Sequence, residues 1–168
     1  MGRDKATMPV DGVAMARRVA DALIAAGCDP VVAIGGDVER LAVLGMLVEP
    51  DRWPGEGPLG AIVAALTAAT GPVLVAACDL PWLDASTVIA LIDAAVAHPD
   101  VDVVHASSPR VEPLCAVWFP SARPVLAAAF AAGERAVHRA MAPLAAHACL
   151  VDAAAVANIN RPEDLPSR

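Results

Sequence analysis

The chain has 168 residues, 57% of them hydrophobic, which is enough for one compact domain spanning 1–168 with a sizeable core and too few for two. Twelve Lys and Arg against 19 Asp and Glu leave a formal charge of −7, which disfavours nucleic acid and anionic membrane as partners. The four cysteines, Cys28, Cys78, Cys115 and Cys149, form no C-x-x-C and lie in or beside apolar segments. They read as small buried thiols in a reducing cytoplasm rather than a zinc cluster or disulfide framework, and the four dispersed histidines show no ligand spacing.

The amino end, "MGRDKATMPVDG", lacks the apolar run of a secretory signal. Val13 to Ala26 carries apolar residues at helical spacing with Arg17, Arg18 and Asp21 on the other face, and Gly27 stands where a C-terminal cap belongs. "PVVAIG" from Pro30 is a short strand, and Asp37 opens a helix that Gly45 closes. "MLVE" from Met46 is a second strand. No charge occurs from Gly57 to Cys78, a run long enough to suggest a membrane span. Gly71 and Pro72 break it into a helix (58–70) and a strand (72–77).

Asp84 is an N-cap candidate for a helix over 85–97, and a strand follows at 101–106. "PLCAVWF" from Pro113 comes after only a short loop, so it is expected to run antiparallel. Helical material over 120–146 breaks near Gly133, "ACLV" is a short strand, and Pro162 opens a last helical turn. This alternation implies an α/β fold with a mostly parallel sheet, one antiparallel strand, and helices on both faces in three layers.

In such a sheet, ligands bind beyond the carboxyl ends of the strands, where three features gather. "IGGD" contains Gly35 and Gly36, "EPDRWPGEGPLG" joins a strand to a helix, and "VLVAACDLPWLD" sets Asp79 at the edge of the interior. An ionised carboxylate drawn towards an apolar interior costs several kcal/mol unless a cation or donors offset it. Something must therefore compensate Asp79, either a ligand-side cation or, more simply, the amides of a following turn. Gly55, Gly57 and Gly60 imitate a G-x-G-x-x-G dinucleotide fingerprint, with Asp79 19 residues past Gly60. The intervening "PDRWP" displaces that turn from the strand's end, where a pyrophosphate would need it. The glycines still leave amides accessible at a helix start, suited to an anion or a base edge, unless the segment is a plain surface turn.

Together, "MGRDKA", "PGEGPLGAI", "CDLPWL" and "NINRPEDL" stand in the order and spacing that resemble the molybdenum cofactor guanylyltransferases. These belong to a broader nucleotidyltransferase family with a Rossmann-like fold and an opening close to L-A-G-G-x-S-x-R-M-G-x-D-K. The resemblance runs from Met1 to Leu165. It implies that a terminal phosphate oxygen of molybdopterin attacks the α-phosphorus of GTP, so that GMP is transferred and pyrophosphate leaves. Such transfers rest on alignment and charge neutralisation.

By the same resemblance, Lys5 matches the phosphate-binding lysine and Asp79 the aspartate that holds Mg²⁺. On the bare sequence Lys5 reads as a solvated surface lysine, and the alternative for Asp79 is an N-cap of the following turn. Asp51, Gly57, Pro58 and Leu59 match the nucleotide-contacting region. Asn158 and Asn160 match paired asparagines of the active centre, which alternation along an extended backbone would point the same way. Arg110 and Arg135 are candidates for the anionic pterin on charge alone.

The chain opens at the "MG" of the family motif. The first family strand and most of the glycine loop are accordingly expected to be absent, leaving unpaired backbone on the neighbouring strands. The expectation is that Met1 is an internal methionine of a longer reading frame, or that the chain is a truncated, inactive version. Alternatives are a molybdopterin cytidylyltransferase, another nucleotidyltransferase acting on a sugar phosphate or isoprenoid precursor, and a non-catalytic nucleotide-binding protein. Implied partners include molybdoenzymes or cofactor-biosynthesis proteins.

Overall fold

A computed structural model describes residues 5–159. After a 3-10 turn at Lys5–Thr7 come β1 (Pro9–Val10) and β2 (Val13–Ala14), a two-residue antiparallel ribbon, and then α1 (Met15–Ala25). β3 (Val32–Ile34), α2 (Val38–Val43), β4 (Leu47–Glu49), α3 (Pro58–Ala68), β5 (Val73–Ala76) and α4 (Ala85–Ala97) alternate as expected. β6 (Val103–Ser108) and β7 (Arg110–Trp118) form a hairpin, and α5 (Arg123–Ala131), α6 (Val137–Ala140) and β8 (Ala146–Leu150) complete the order. The helical turn expected at Pro162 lies outside the described residues.

The local chemistry explains the boundaries. Gly27 and Gly45 both adopt positive φ just past α1 and α2, as left-handed C-terminal caps require. Asp37 and Asp84 cap α2 and α4, their carboxylates accepting from the amides of Arg40 at 3.1 Å and Thr87 at 2.7 Å. The uncharged run divides into α3 and β5 at Gly71 and Pro72, and no described helix is long and apolar enough to cross a membrane. The helix expected from Val13 begins at Met15, because Val13 and Ala14 pair with β1.

Within the four-stranded sheet β7 is the strand that opposes its neighbours. It pairs antiparallel with β5 and with β6, while β6 pairs parallel with β8 and β3 with β4. Along β7 the side chains alternate between two apolar layers. Cys115 and Val117 face α1 and α4, packing with Val19, Val88, Leu91 and Val104. Ala116 and Trp118 face α3, α5 and α6, with Leu59, Ile62, Leu126 and Val137. Burial pushes the Cys115 thiol up to about 12, so it stays protonated and unreactive. Cys78 departs from the buried-thiol expectation, because it follows β5 at the ligand edge and is exposed.

Among the described residues, and apart from the β1–β2 ribbon, the strands fall into two sheets rather than one. β3 and β4 stand apart from the order β5-β7-β6-β8, and among the described residues no ladder joins β3 to β5. α1 lies over both parts: Val19 and Ala22 pack towards Leu74 and Ala76 of β5, and Ala16 packs towards Ala33 of β3 and Val48 of β4.

Candidate active site

The amino end of α1 packs against two of the segments that bear candidate residues. Met15 packs with Val10 and Ile159, flanked by Met8 and Trp82. The amide of Ile159 donates to the carbonyl of Asp79 at 2.9 Å, so the carboxy-terminal segment is docked beside the strand end that carries the carboxylate. Ile159 is buried and its neighbour Asn158 is exposed. Asn160, its expected companion, lies outside the described residues. The turn after Asp79 is held by Arg18, whose Nε donates to the carbonyl of Pro81 at 2.7 Å. Sequence reading put Arg18 on the solvent face of α1 and missed this tether, which no spacing rule would have signalled.

Ala16, the next residue of α1, packs with Ala6 and Leu41 against β3 and β4. This places the exposed Lys5, one residue before Ala6, by the same sheet edge. Gly35 adopts φ +77° at the end of β3, and a Cβ there would stand 3.1 Å from the Asp51 Cβ, so the two strand ends meet at these residues. The Asp51 carboxylate accepts from the Trp53 amide at 2.9 Å and so starts the glycine loop.

Within that loop Gly55 and Gly57 adopt positive φ, and Gly57 is the N-cap of α3 with no side chain bonding the first-turn amides. Pro58 has no N–H to offer and the Leu59 side chain is fully buried in the core. The donors this loop presents at α3 are therefore the backbone amides of Leu59 and Gly60. Gly60 is not a phosphate-turn glycine: a Cβ there would lie 3.2–3.3 Å from Trp53 and Phe130, so it makes room for two rings whose centroids are 5.0 Å apart. The G-x-G-x-x-G spacing thus arises from two turns and one packing contact.

Arg135, a candidate on charge alone, is engaged within the protein. Its guanidinium pairs with Glu56 of the loop, donates to the carbonyls of Phe130 at 2.9 Å and Glu134 at 2.8 Å, and lies 4.2 Å from the Phe130 ring centroid. It clamps the loop to the α5–α6 connection. Arg110 stands at the exposed start of β7, where it partly offsets the upward pull of burial on the Glu112 carboxyl.

Glu134 anchors the same connection. Its carboxylate accepts two bonds from Arg139, each 2.7 Å, and the amides of Ala136 and Arg135 at 2.8 and 2.7 Å. The Arg139 bonds first, and then the two amides, hold its carboxyl down at about 2 against an ordinary 4.5. A depressed carboxyl adds stability above its unfolded-state pKa and loses it as pH falls through the folded one. Glu134→Gln should therefore melt below the parent at pH 7, the gap narrowing under pH 4.5 and closing near pH 2. Melts across that range check this.

Among the described residues no group of three or more His, Cys, Asp or Glu could enclose a metal. A magnesium ion that keeps waters and binds substrate phosphates needs only one or two carboxylates. The half-buried Asp79 suits that donor set: among the described residues its carboxylate enters no ion pair.

The sequence profile of the MobA-like NTP transferase domain matches residues 1–149. The chain belongs to this family. It is similar to a molybdenum cofactor guanylyltransferase of Rhodobacter capsulatus, at 37% identity over 174 residues, covering 98% of this chain and 86% of that protein. Among solved structures it is similar to molybdopterin-guanine dinucleotide biosynthesis protein A of Archaeoglobus fulgidus, with TM-score 0.76, 22% identity, and coverage of 97% of this chain and 87% of the other. It is also similar to 2-C-methyl-D-erythritol 4-phosphate cytidylyltransferase of Thermus thermophilus, with TM-score 0.73, 18% identity, and coverage of 95% and 89%. At such identities the structural likenesses speak for the nucleotidyltransferase fold alone. The Rhodobacter relative carries the family assignment down to guanylyltransferases.

Proposed function

We propose that this member of the MobA-like family transfers GMP from GTP to molybdopterin and releases pyrophosphate, in the making of molybdenum guanine dinucleotide. A phosphate oxygen of the pterin forms a bond to the α-phosphorus while the bond from that phosphorus to the β-phosphate bridge breaks. The attacking phosphate is already ionised near neutral pH, with a second pKa of about 6, so no residue need abstract a proton. The burden on the protein is alignment and charge neutralisation.

In this reading the amides of Leu59 and Gly60, behind the turn at Gly57 and Pro58, receive the nucleotide. Asp51 fixes the loop that carries them. Lys5 supplies positive charge to the phosphates, and Asn158 and Asn160 orient the second substrate. Asp79 would hold Mg²⁺, which would supply further neutralisation of the triphosphate. The observation that carries the proposal is the placement of Asp79, a half-buried carboxylate without a protein cation among the described residues, bonded through its own carbonyl to the segment that bears Asn158.

The test is pyrophosphate release from molybdopterin with either GTP or CTP, with and without Mg²⁺. Release with GTP and magnesium alone is expected. A preference for CTP would turn the reading to a cytidylyltransferase, which shares the fold of the Thermus neighbour. Nucleotide binding with no release from either would reduce the chain to a non-catalytic binder.

A further inference from the structure

β5 and β6 both run antiparallel to β7, so they run parallel to each other and end on the same edge of the four-stranded sheet. β7 starts from that edge at Arg110. The Ala77 amide donates to the Leu114 carbonyl at 2.7 Å, and beyond that bond, towards the edge, one chain segment carries Asp79 and the other Glu112. Glu112 stands opposite Ala106 of β6, which stands opposite Cys149 of β8, and Arg110 stands opposite Ser108. Residues in such register share a face, so Glu112, Arg110 and Ser108 lie together at the end of the β6–β7 hairpin.

Glu112 is half-buried there. Among the described residues its carboxylate enters no ion pair; burial pushes its carboxyl up, and only the charge of Arg110 pulls it back. A carboxylate drawn out of water without donors is costly, and it offers two oxygens to any donor pair that arrives. Arg110, exposed beside it, offers the opposite: a planar fork of N–H groups with no described ion pair of its own. The carboxylate would repel a simple anion. The combination suits a flat heterocycle with two N–H groups next to a carbonyl.

We propose that Glu112 and Arg110 read the pyrimidine edge of the pterin, with the Glu112 carboxylate accepting from N3–H and the 2-amino group and the Arg110 guanidinium donating to O4. This rests on the reading of molybdopterin as the second substrate. Guanine carries the same donor and acceptor order, and position decides between the two. The 51–60 loop issues from the β3–β4 sheet, whereas Glu112 belongs to the other sheet, on the strand next to the one that leads to Asp79. The pterin is then held beside the metal carboxylate rather than over the nucleotide loop.

The test measures equilibrium binding, to the full chain, of 6-hydroxymethylpterin phosphate and of its lumazine counterpart, in which an oxo group replaces the 2-amino group. The parent should bind the pterin compound about tenfold or more tightly than the lumazine, which turns an acceptor towards the carboxylate. Glu112→Gln should reverse that preference, since a carboxamide offers one donor and one acceptor, and should leave GTP affinity within about twofold. Arg110→Ala should weaken both compounds about tenfold without changing their ratio, because both keep O4. A melt confirms that each variant is folded, and the parent's own preference depends on neither. Pterin binding with this preference but no pyrophosphate release would remove the transferase reading and leave the inference standing. No preference in the parent, an unchanged ratio in Glu112→Gln, or failure to bind either compound would overturn it. So would a shift of nucleotide preference from GTP to XTP in Glu112→Gln, which would put guanine at this edge.

Discussion

Asp79→Asn should lower pyrophosphate release with GTP about a thousandfold, equivalent to about 4 kcal/mol of transition-state stabilisation, and leave the fold intact. The two halves of that result have separate physical origins. The carboxamide matches the carboxylate in shape, and no described ion pair engages the native group, so removing its charge deprives the protein of nothing internal. The backbone carbonyl that receives Ile159 is untouched by the change, so the carboxy-terminal segment stays docked. What disappears is a negative oxygen facing a polyphosphate, useful only if a cation stands between them. Circular dichroism and a thermal melt beside the pyrophosphate assay separate the two effects. Activity within tenfold of the parent would remove Asp79 from the metal role.

Gly57→Ala should raise the KM for GTP about tenfold or more while the melting temperature moves by only a few degrees. At φ 83° and ψ 179° the residue occupies backbone space that is essentially glycine's alone, and forcing a side chain to remain there costs about 1–3 kcal/mol. Crowding is not the obstacle, because the nearest atom to a Cβ would be the Arg135 carbonyl oxygen at 4.0 Å. The strain acts against a loop held by the exposed Glu56–Arg135 pair, worth about 0–1 kcal/mol. The tilted Trp53–Phe130 contact adds about 0.5–1.5 kcal/mol. These restraints match the strain in size, so the loop relaxes and carries the Leu59 and Gly60 amides out of line. Steady-state kinetics across GTP concentrations read this directly. An unchanged KM would mean that the nucleotide does not lean on this turn.

Much of this architecture was legible because local signals agreed with it. Asp37, Asp84, Gly27 and Gly45 mark helix ends by side-chain capping or by left-handed backbone, and each does so in the structure. The antiparallel β7 was readable from a loop too short for a crossover helix. The β1–β2 ribbon escaped notice, because two residues per strand leave no period to detect.

In the chain, Asp51 and Asp79 follow β4 and β5, and Gly57 stands at the start of α3, an order the sequence already carried. It could not reveal that Leu59 turns inward and offers only its amide, that Gly60 yields to two rings, or that Arg135 is tied to Glu56. Those facts depend on residues about 70–80 positions apart meeting in space.

The claim on which the rest depends is that Asp79 and the amides at the start of α3 serve one nucleotide–metal assembly. Crystals of the protein soaked with Mn²⁺ and a non-hydrolysable GTP analogue test it through the anomalous signal of the metal. The account predicts Mn²⁺ bound to the Asp79 carboxylate and to the analogue's phosphates, with the nucleotide against the 51–60 loop. Nucleotide and metal bound elsewhere, with Asp79 engaged only by protein donors, would contradict it.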